Sequence, residues 1–187
     1  SGSNDIYILV STSADPTSTW YAYTFTAPNF PDYLKFSVWP DAYTMTSNES
    51  GPSGVYAFDR VSMLGGLPAT MQRFTVPDYP TISFQATTPV GVEGPTPPPA
   101  GNNAYFMRMA DDAWSASIPA DRLEIWELDV DFTTPANSTF SGPTNLATDP
   151  FDTELCGYIA FACMDQPSSA TTLDPLREVL MFKVQYR

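Results

Sequence analysis

The chain of 187 residues contains no histidine, and its eight lysines and arginines are outnumbered by 21 aspartates and glutamates. Without histidine, neither Ser-His-Asp nor Cys-His catalysis can be assembled inside this chain. The formal net charge of −13 would repel nucleic acid, whose phosphates are bound through lysine and arginine. It would also oppose anionic membrane surfaces. We therefore expect no nucleic-acid partner.

Long apolar runs are missing as well. No stretch of about 18 apolar residues is present, so we expect no membrane insertion. Nineteen prolines and ten glycines interrupt the chain and exclude long helices. The sequence begins Ser1-Gly2-Ser3-Asn4, which indicates a processed, cloned or excised piece. With an acidic composition poor in lysine, these features favour a secreted protein, extracellular or on the cell surface.

Short strand-like runs fill the space between the prolines. They are rich in Val, Ile, Thr and aromatic residues, and many alternate in polarity, as half-buried strands do. The hydrophobic fraction of 43% is enough for a packed core. The sequence therefore predicts an all-β chain of antiparallel sheets, with runs at 5–11, 20–26, 34–39, 42–47, 54–60, 72–76, 81–87, 104–109, 122–130, from 139 onward and 179–186.

An internal repeat favours a β-propeller over a sandwich or a barrel. The pattern Ala-Tyr-x-Met begins at Ala42 and again at Ala104, an offset of 62 residues, and each copy is followed by an apolar and aromatic strand at 54–60 or 122–127. Each repeat holds about four strands, the content of one propeller blade.

The repeat divides the chain into β-propeller blades of one single segment. We predict the end of one blade at 1–31, complete four-stranded blades at 32–78 and 79–150, and a disulfide loop with the start of the next blade at 151–187. Two complete and two partial blades cannot close a ring. The expected partners are therefore the remaining propeller blades or another copy of the chain.

The loop after the first predicted strand resembles the Asp-box of sialidase-type propellers, whose pattern is Ser/Thr-x-Asp-x-Gly-x-Thr-Trp. Ser13, Asp15, Thr19 and Trp20 occupy the matching positions, and Thr17 replaces the glycine. A weaker counterpart stands at 133–140. In that family the box joins the third and fourth strands of a blade and is structural, so the resemblance implies a fold and no catalytic role.

Most of the chain is also similar to an internal stretch of large, uncharacterised extracellular β-propeller proteins of bacteria. Segments 30–43, 55–65, 123–126 with 130–132, and 163–167 with Met181 and 186–187 carry this resemblance. Members of the group usually continue past the closing Tyr-Arg with more propeller. The resemblance implies fold and location, and it supplies no catalytic residue because the group has no settled biochemistry.

Two segments are candidates for ligand binding. Trp39 and Tyr43 could stack on a sugar ring while Asp41 accepts hydroxyl hydrogen bonds; the alternative is a Pro-Asp turn whose aromatic residues pack between blades.

In the second segment, Asp111, Asp112 and Trp114 could hold calcium or a sugar. Calcium needs about six to eight oxygen ligands, so the alternative is a solvated acidic loop. No other cofactor or metal is expected.

The two cysteines, Cys156 and Cys163, are spaced to close a small disulfide ring. The alternative is a pair of buried free thiols. Two thiolates alone do not complete a tetrahedral zinc site.

Three functions remain open from the sequence. The first is a non-catalytic extracellular module with a structural, adhesive or ligand-binding role on polysaccharide or protein. The second is part of a glycan-active enzyme of the glycoside hydrolase type, whose pair of carboxylates would be completed by missing blades. The third is a self-assembling surface subunit.

Overall fold

A computed structural model describes residues 4–80, 82, 84–154, 157, 162–175, 179–181 and 184–187. These residues form twelve β-strands, one short α-helix and two 3-10 turns. All-β architecture with antiparallel sheets is thereby confirmed. Within the described ranges, no helix has the length and apolar character that crossing a bilayer requires.

The chain opens with a β-hairpin. Strand β1 (Asp5–Ser11) pairs antiparallel with β2 (Trp20–Thr26) in continuous register. Because side chains alternate between the two faces of a strand, Ile6 and Val10 are buried on one face while Tyr7 and Leu9 are exposed on the other.

The first sheet is a meander of four strands in chain order. It comprises β3 (Asp32–Val38), β4 (Ala42–Glu49), β5 (Gly51–Asp59) and β6 (Met71–Val76). Helix α1 (Arg60–Leu64) connects the last two strands. Asp59 precedes the helix and caps its first turn, because its carboxylate accepts the Ser62 N–H.

The second sheet is built in the same way, with a shorter first strand. Its order is β7 (Thr88–Pro89), β9 (Ala104–Ala110), β10 (Arg122–Asp129) and β11 (Thr139–Ala147), all antiparallel. Strand β8 (Gly91–Val92) follows β7 and pairs in parallel with the closing strand β12 (Gln185–Tyr186). The 3-10 turns span Asp112–Trp114 and Pro135–Asn137.

The three layers are stacked, with the first sheet in the middle. One of its faces packs against the hairpin through a cluster of Ile6, Val10, Ala27, Met45, Tyr56, Phe58 and Met63. The other packs against the second sheet through Trp39, Ala42, Val55, Ala57, Val76, Val90, Ala104, Phe106, Trp126 and Leu128. The middle sheet thus buries apolar side chains on both faces.

One strand prediction was wrong in its described residues, and another holds only at its end. The run 81–87 is not a strand in its described part, because the Gln85 side chain bonds the Tyr79 N–H, the Tyr79 carbonyl and the Ile82 carbonyl, and so turns the segment on itself. In the run 179–186, strand pairing is confined to Gln185–Tyr186 among the described residues. Helix α1 was missed, although Asp59 three residues before Ser62 is a capping signal.

Phe106→Ala should destabilise the protein by about 3–5 kcal/mol, the usual cost of removing a fully buried phenylalanine. The ring is fully buried between the two sheets and meets Phe140 edge-on, with 5.9 Å between centroids. Urea denaturation followed by circular dichroism measures the loss. Phe30→Ala is the control, since Phe30 is exposed, and its effect should stay within about 0.5 kcal/mol. Equal losses in both variants would contradict this packing.

Candidate functional site

The segment predicted to stack on a sugar is mostly interior. Trp39 is 1% exposed. Its Nε1–H donates to the Asn102 carbonyl at 2.9 Å, and its ring meets Tyr105 and Tyr186 edge-on. A sugar could reach this indole only if the surrounding residues moved away. Trp39 therefore packs between the sheets.

The neighbouring residues Asp41 and Tyr43 are more accessible. Asp41 is exposed and Tyr43 is half-buried. Partial desolvation raises the pKa of Asp41, the negative charge of Asp129 adds to the shift, and Arg60 opposes it. The structure thus separates the three residues, with Tyr43 facing a groove and Trp39 facing the core.

That groove lies between β1 and β3 and encloses about 320 Å³. It brings together Trp20 from the Asp-box-like loop and Tyr43 from the first candidate segment, which the sequence placed in separate motifs. Its lining is Ile8, Leu9, Val10, Ser11, Trp20, Phe36, Ser37, Val38 and Tyr43. The groove is apolar and aromatic, and it contains no charged side chain.

The acidic segment with Asp111, Asp112 and Trp114 joins two parts of the chain through hydrogen bonds. Asp111 is buried and accepts the Ala113 N–H through Oδ1, while Oδ2 accepts both the N–H and the hydroxyl of Thr153, each at 2.8 Å. Trp114 is buried beside it, and its Nε1–H donates to Thr153 Oγ1. Asp112 is exposed. These bonds hold the segment after β11 against the loop between β9 and β10.

Sequence reasoning missed Asp121 in this cluster. Its carboxylate lies beside those of Asp111 and Asp112, and the three offer oxygens within 4.8 Å of one another. Asp121 accepts the N–H groups of Asp112 and Phe151 at 2.8 and 2.6 Å. The buried oxygens of the cluster thus accept backbone N–H groups and the Thr153 hydroxyl, and calcium binding stays a prediction.

The Asp-box-like loop forms a turn organised by its aspartate. Asp15 Oδ1 accepts the Thr17 hydroxyl at 2.7 Å and the Thr17 N–H at 2.9 Å, and these bonds lower the Asp15 pKa. Ser13 Oγ accepts the Asp15 N–H, Thr19 bonds Thr12, and Trp20 Nε1–H donates to the Pro16 carbonyl. The loop joins two antiparallel strands, and its partners are all local.

The same arrangement recurs in the connection between β10 and β11, at a residue the sequence did not single out. Asp131 Oδ1 accepts the N–H groups of Thr133 and Thr134 at 2.8 and 2.7 Å. The bond from Thr134 is the main cause of the lowered pKa of Asp131. Together with Asp59 at α1, an aspartate therefore folds each of three connections between neighbouring antiparallel strands.

A buried ion cluster that the sequence did not reveal ties β10 to its surroundings. Glu124 is 1% exposed. Its Oε2 pairs with Arg108 Nη2 and its Oε1 with Arg122 Nη2, both at 2.7 Å, and the Tyr79 hydroxyl donates to Oε1. Arg108 also lies over the Trp126 ring, 5.1 Å from its centroid. Burial raises the Glu124 pKa, but Tyr79 and the two guanidinium groups outweigh burial and keep it lowered.

A second Tyr–Glu–Arg group stands on the first sheet. Glu49 Oε1 accepts the hydroxyls of Tyr56 and Ser47 at 2.5 and 2.6 Å, and Oε2 pairs with Arg73 Nη2 at 2.8 Å. Burial, with the Glu49 bond, raises the pKa of Tyr56 to about 12. Gly54 leaves room for this group, because a Cβ there would overlap the Glu49 carboxylate and the Tyr56 ring.

The predicted disulfide falls partly outside the described residues. Cys156 lies outside them, and Cys163 carries no free thiol. The pairing of Cys156 with Cys163 stays a prediction.

Comparison of the chain with models of known protein families, with curated proteins and with solved structures gives no match. The similarity to sialidase-type propellers therefore stays a prediction drawn from the sequence.

Glu124→Gln should lower the free energy of unfolding by about 3–5 kcal/mol at pH 7, because it leaves the buried Arg108 without its counter-charge. The pH dependence has a definite sign. A carboxylate whose pKa is lowered in the folded state stabilises the fold above its unfolded pKa of about 4.3, and this contribution is lost as the pH falls through the folded pKa.

The difference between wild type and Glu124→Gln should therefore be largest near neutral pH and shrink in acid. Urea denaturation at pH 7, 5 and 3 measures it. Glu154→Gln, at an exposed position, should follow the wild type at every pH. A difference that stays constant down to pH 3 would contradict the role of the Glu124 charge.

Proposed function

We propose that the chain is a non-catalytic, extracellular module of stacked propeller-type blades with a structural, adhesive or ligand-binding role. It would act through the hairpin surface, which we define as Tyr7, Leu9 and Trp20 with the adjoining groove between β1 and β3. The proposal depends chiefly on one observation: the hairpin packs on the first sheet with one face and leaves an apolar opposite face exposed.

The exposure of this face is large. Tyr7 is 68% exposed and Leu9 is 63% exposed, although the alternate residues Ile6 and Val10 are buried. In the described part of the chain, β1 pairs with β2 alone, so its other edge offers backbone donors and acceptors. Edges and apolar patches of this kind mark surfaces that pair with another chain.

The arrangement of the sheets supports the blade interpretation. Ala42 and Ala104, which define the sequence repeat, begin the second strand of the first and second sheets. In both sheets the connection from the third to the fourth strand is folded by an aspartate, Asp59 or Asp131. Asp15 does the same in the hairpin. The hairpin would then be the outer half of a preceding blade.

The state of the buried acids supports a non-catalytic role. Glu49 and Glu124 are each bound by a tyrosine and an arginine, and Asp111 and Asp121 accept backbone N–H groups. A glycosidase acid instead needs a raised pKa beside the substrate. The pKa of the buried Glu124 is lowered, and the raised pKa belongs to the exposed Asp41. The extracellular location is supported by the net charge of −13.

The hairpin surface should make the isolated chain associate. Light scattering over a concentration series should give a weight-average mass that rises above the 20.5 kDa of one chain, at a salt concentration of about 0.15 M or more that screens the like charges. Leu9→Glu should restore the monomer mass. Leu173→Glu is the control, because Leu173 is 51% exposed outside this surface. A monomer at all concentrations, or equal effects of both variants, would contradict a role of the hairpin surface in pairing with another chain.

The non-catalytic part of the proposal has its own test. Purified protein incubated with a panel of polysaccharides and aryl glycosides should release no sugar. Release that Asp41→Asn abolishes would overturn it and favour the glycan-active alternative.

A further inference from the structure

Four hydroxyl groups are buried between or beside the two sheets without a hydrogen-bond partner in the part of the chain that the structure describes. They belong to Ser37, Thr44, Thr87 and Thr88, each at most 5% exposed. Buried polar atoms are nearly always hydrogen-bonded, because an unpaired buried hydroxyl costs about 1–3 kcal/mol. Several such groups in one region need a physical explanation.

The strand register brings two of them, Ser37 and Thr44, together. Ser37 on β3 lies directly opposite Thr44 on β4, and Thr44 lies opposite Ala57, whose side chain packs in the core between the sheets. Ser37 and Thr44 therefore point toward the second sheet.

A further contact fixes the position of Thr87. Thr46 follows Thr44 by two residues on the same face of β4, and its hydroxyl donates to the Thr87 carbonyl at 2.6 Å. Strand β7, which begins at the next residue, lies against β3 and β4. Thr87 thus lies against the same face of β4 as Thr44, beside the next inward residue, Thr46.

We propose that Ser37, Thr44 and Thr87 bind an internal water molecule between the two sheets. A hydroxyl can donate one hydrogen bond and accept two, and a buried water typically makes about three bonds to otherwise unpaired groups. Three neutral hydroxyls match this requirement. They supply no charge to compensate a metal cation, so water is the occupant that the chemistry favours. This inference is independent of the proposed function.

Thr→Val substitutions should change the Tm in opposite directions, depending on whether the hydroxyl bonds a water or is unpaired. Valine has the shape of threonine without the hydroxyl. If Thr44 bonds a water, Thr44→Val removes a bond and should lower the Tm by about 2–4 °C. If the hydroxyl is unpaired, the same change removes a buried unsatisfied group and should raise the Tm. Thr75→Val on the exposed face of β6 controls for the strand preference of valine. A raised Tm for Thr44→Val would overturn the proposal.

The double variant tests whether the residues share one water. If they do, the loss in Thr44→Val/Thr87→Val should be clearly smaller than the sum of the two single losses, because the first change already disrupts the site. Additive losses would overturn the shared site.

Water can also be observed directly. Rotating-frame NMR should show a long-lived water signal to the Hβ protons at position 44 in the wild type and in Thr44→Ser, which keeps the hydroxyl. No such signal in the folded wild type would overturn the proposal, whatever the variants do.

Discussion

The contact between the two four-stranded sheets is the constraint on which the rest of the structure depends. The first sheet buries apolar side chains on both faces, and burial of that apolar area is the main source of stability for such a domain. Phe106 and Trp126 from the second sheet meet Val55 and Ala57 from the first. Small residues on one side face large aromatic residues on the other, so the layers can approach closely. Neither sheet could bury its apolar residues alone.

Charged groups inside this stack are held by pairing. Glu124 lies on the face of β10 that carries Trp126 and Leu128, directly opposite Arg108 on β9. A buried charge is tolerated when it is paired and its remaining oxygens are hydrogen-bonded, and Arg122 and Tyr79 meet that condition here by donating to Glu124. On the first sheet, Glu49 is paired with Arg73 and hydrogen-bonded by Tyr56 in the same way. Carboxylates that could be taken for catalytic groups in the sequence thus stabilise the junctions between strands.

Local sequence patterns predicted the strands well because strand formation depends on alternation and residue type. The hairpin, the first meander, the last three strands of the second and the turn at Asp15 follow from such patterns. Contacts made by individual side chains were not predictable from alternation and residue type. Gln85 folds the 79–85 segment by bonding residues up to six positions away, and Trp39 is buried because Asn102 and Tyr186 cover it. The Glu124 cluster has one sign in the sequence. It is an acidic residue at an inward position of β10, where the alternating pattern otherwise places apolar residues.

Native-state hydrogen exchange, measured in increasing urea, tests the stacked arrangement most directly. If the sheets stabilise each other, the slowest amides of β4, β5, β9 and β10 will share one opening free energy and one urea dependence, while β1 will exchange at lower cost. Two separate free energies, with one sheet opening fully while the other stays protected, would show that the sheets are independent units and would contradict the account.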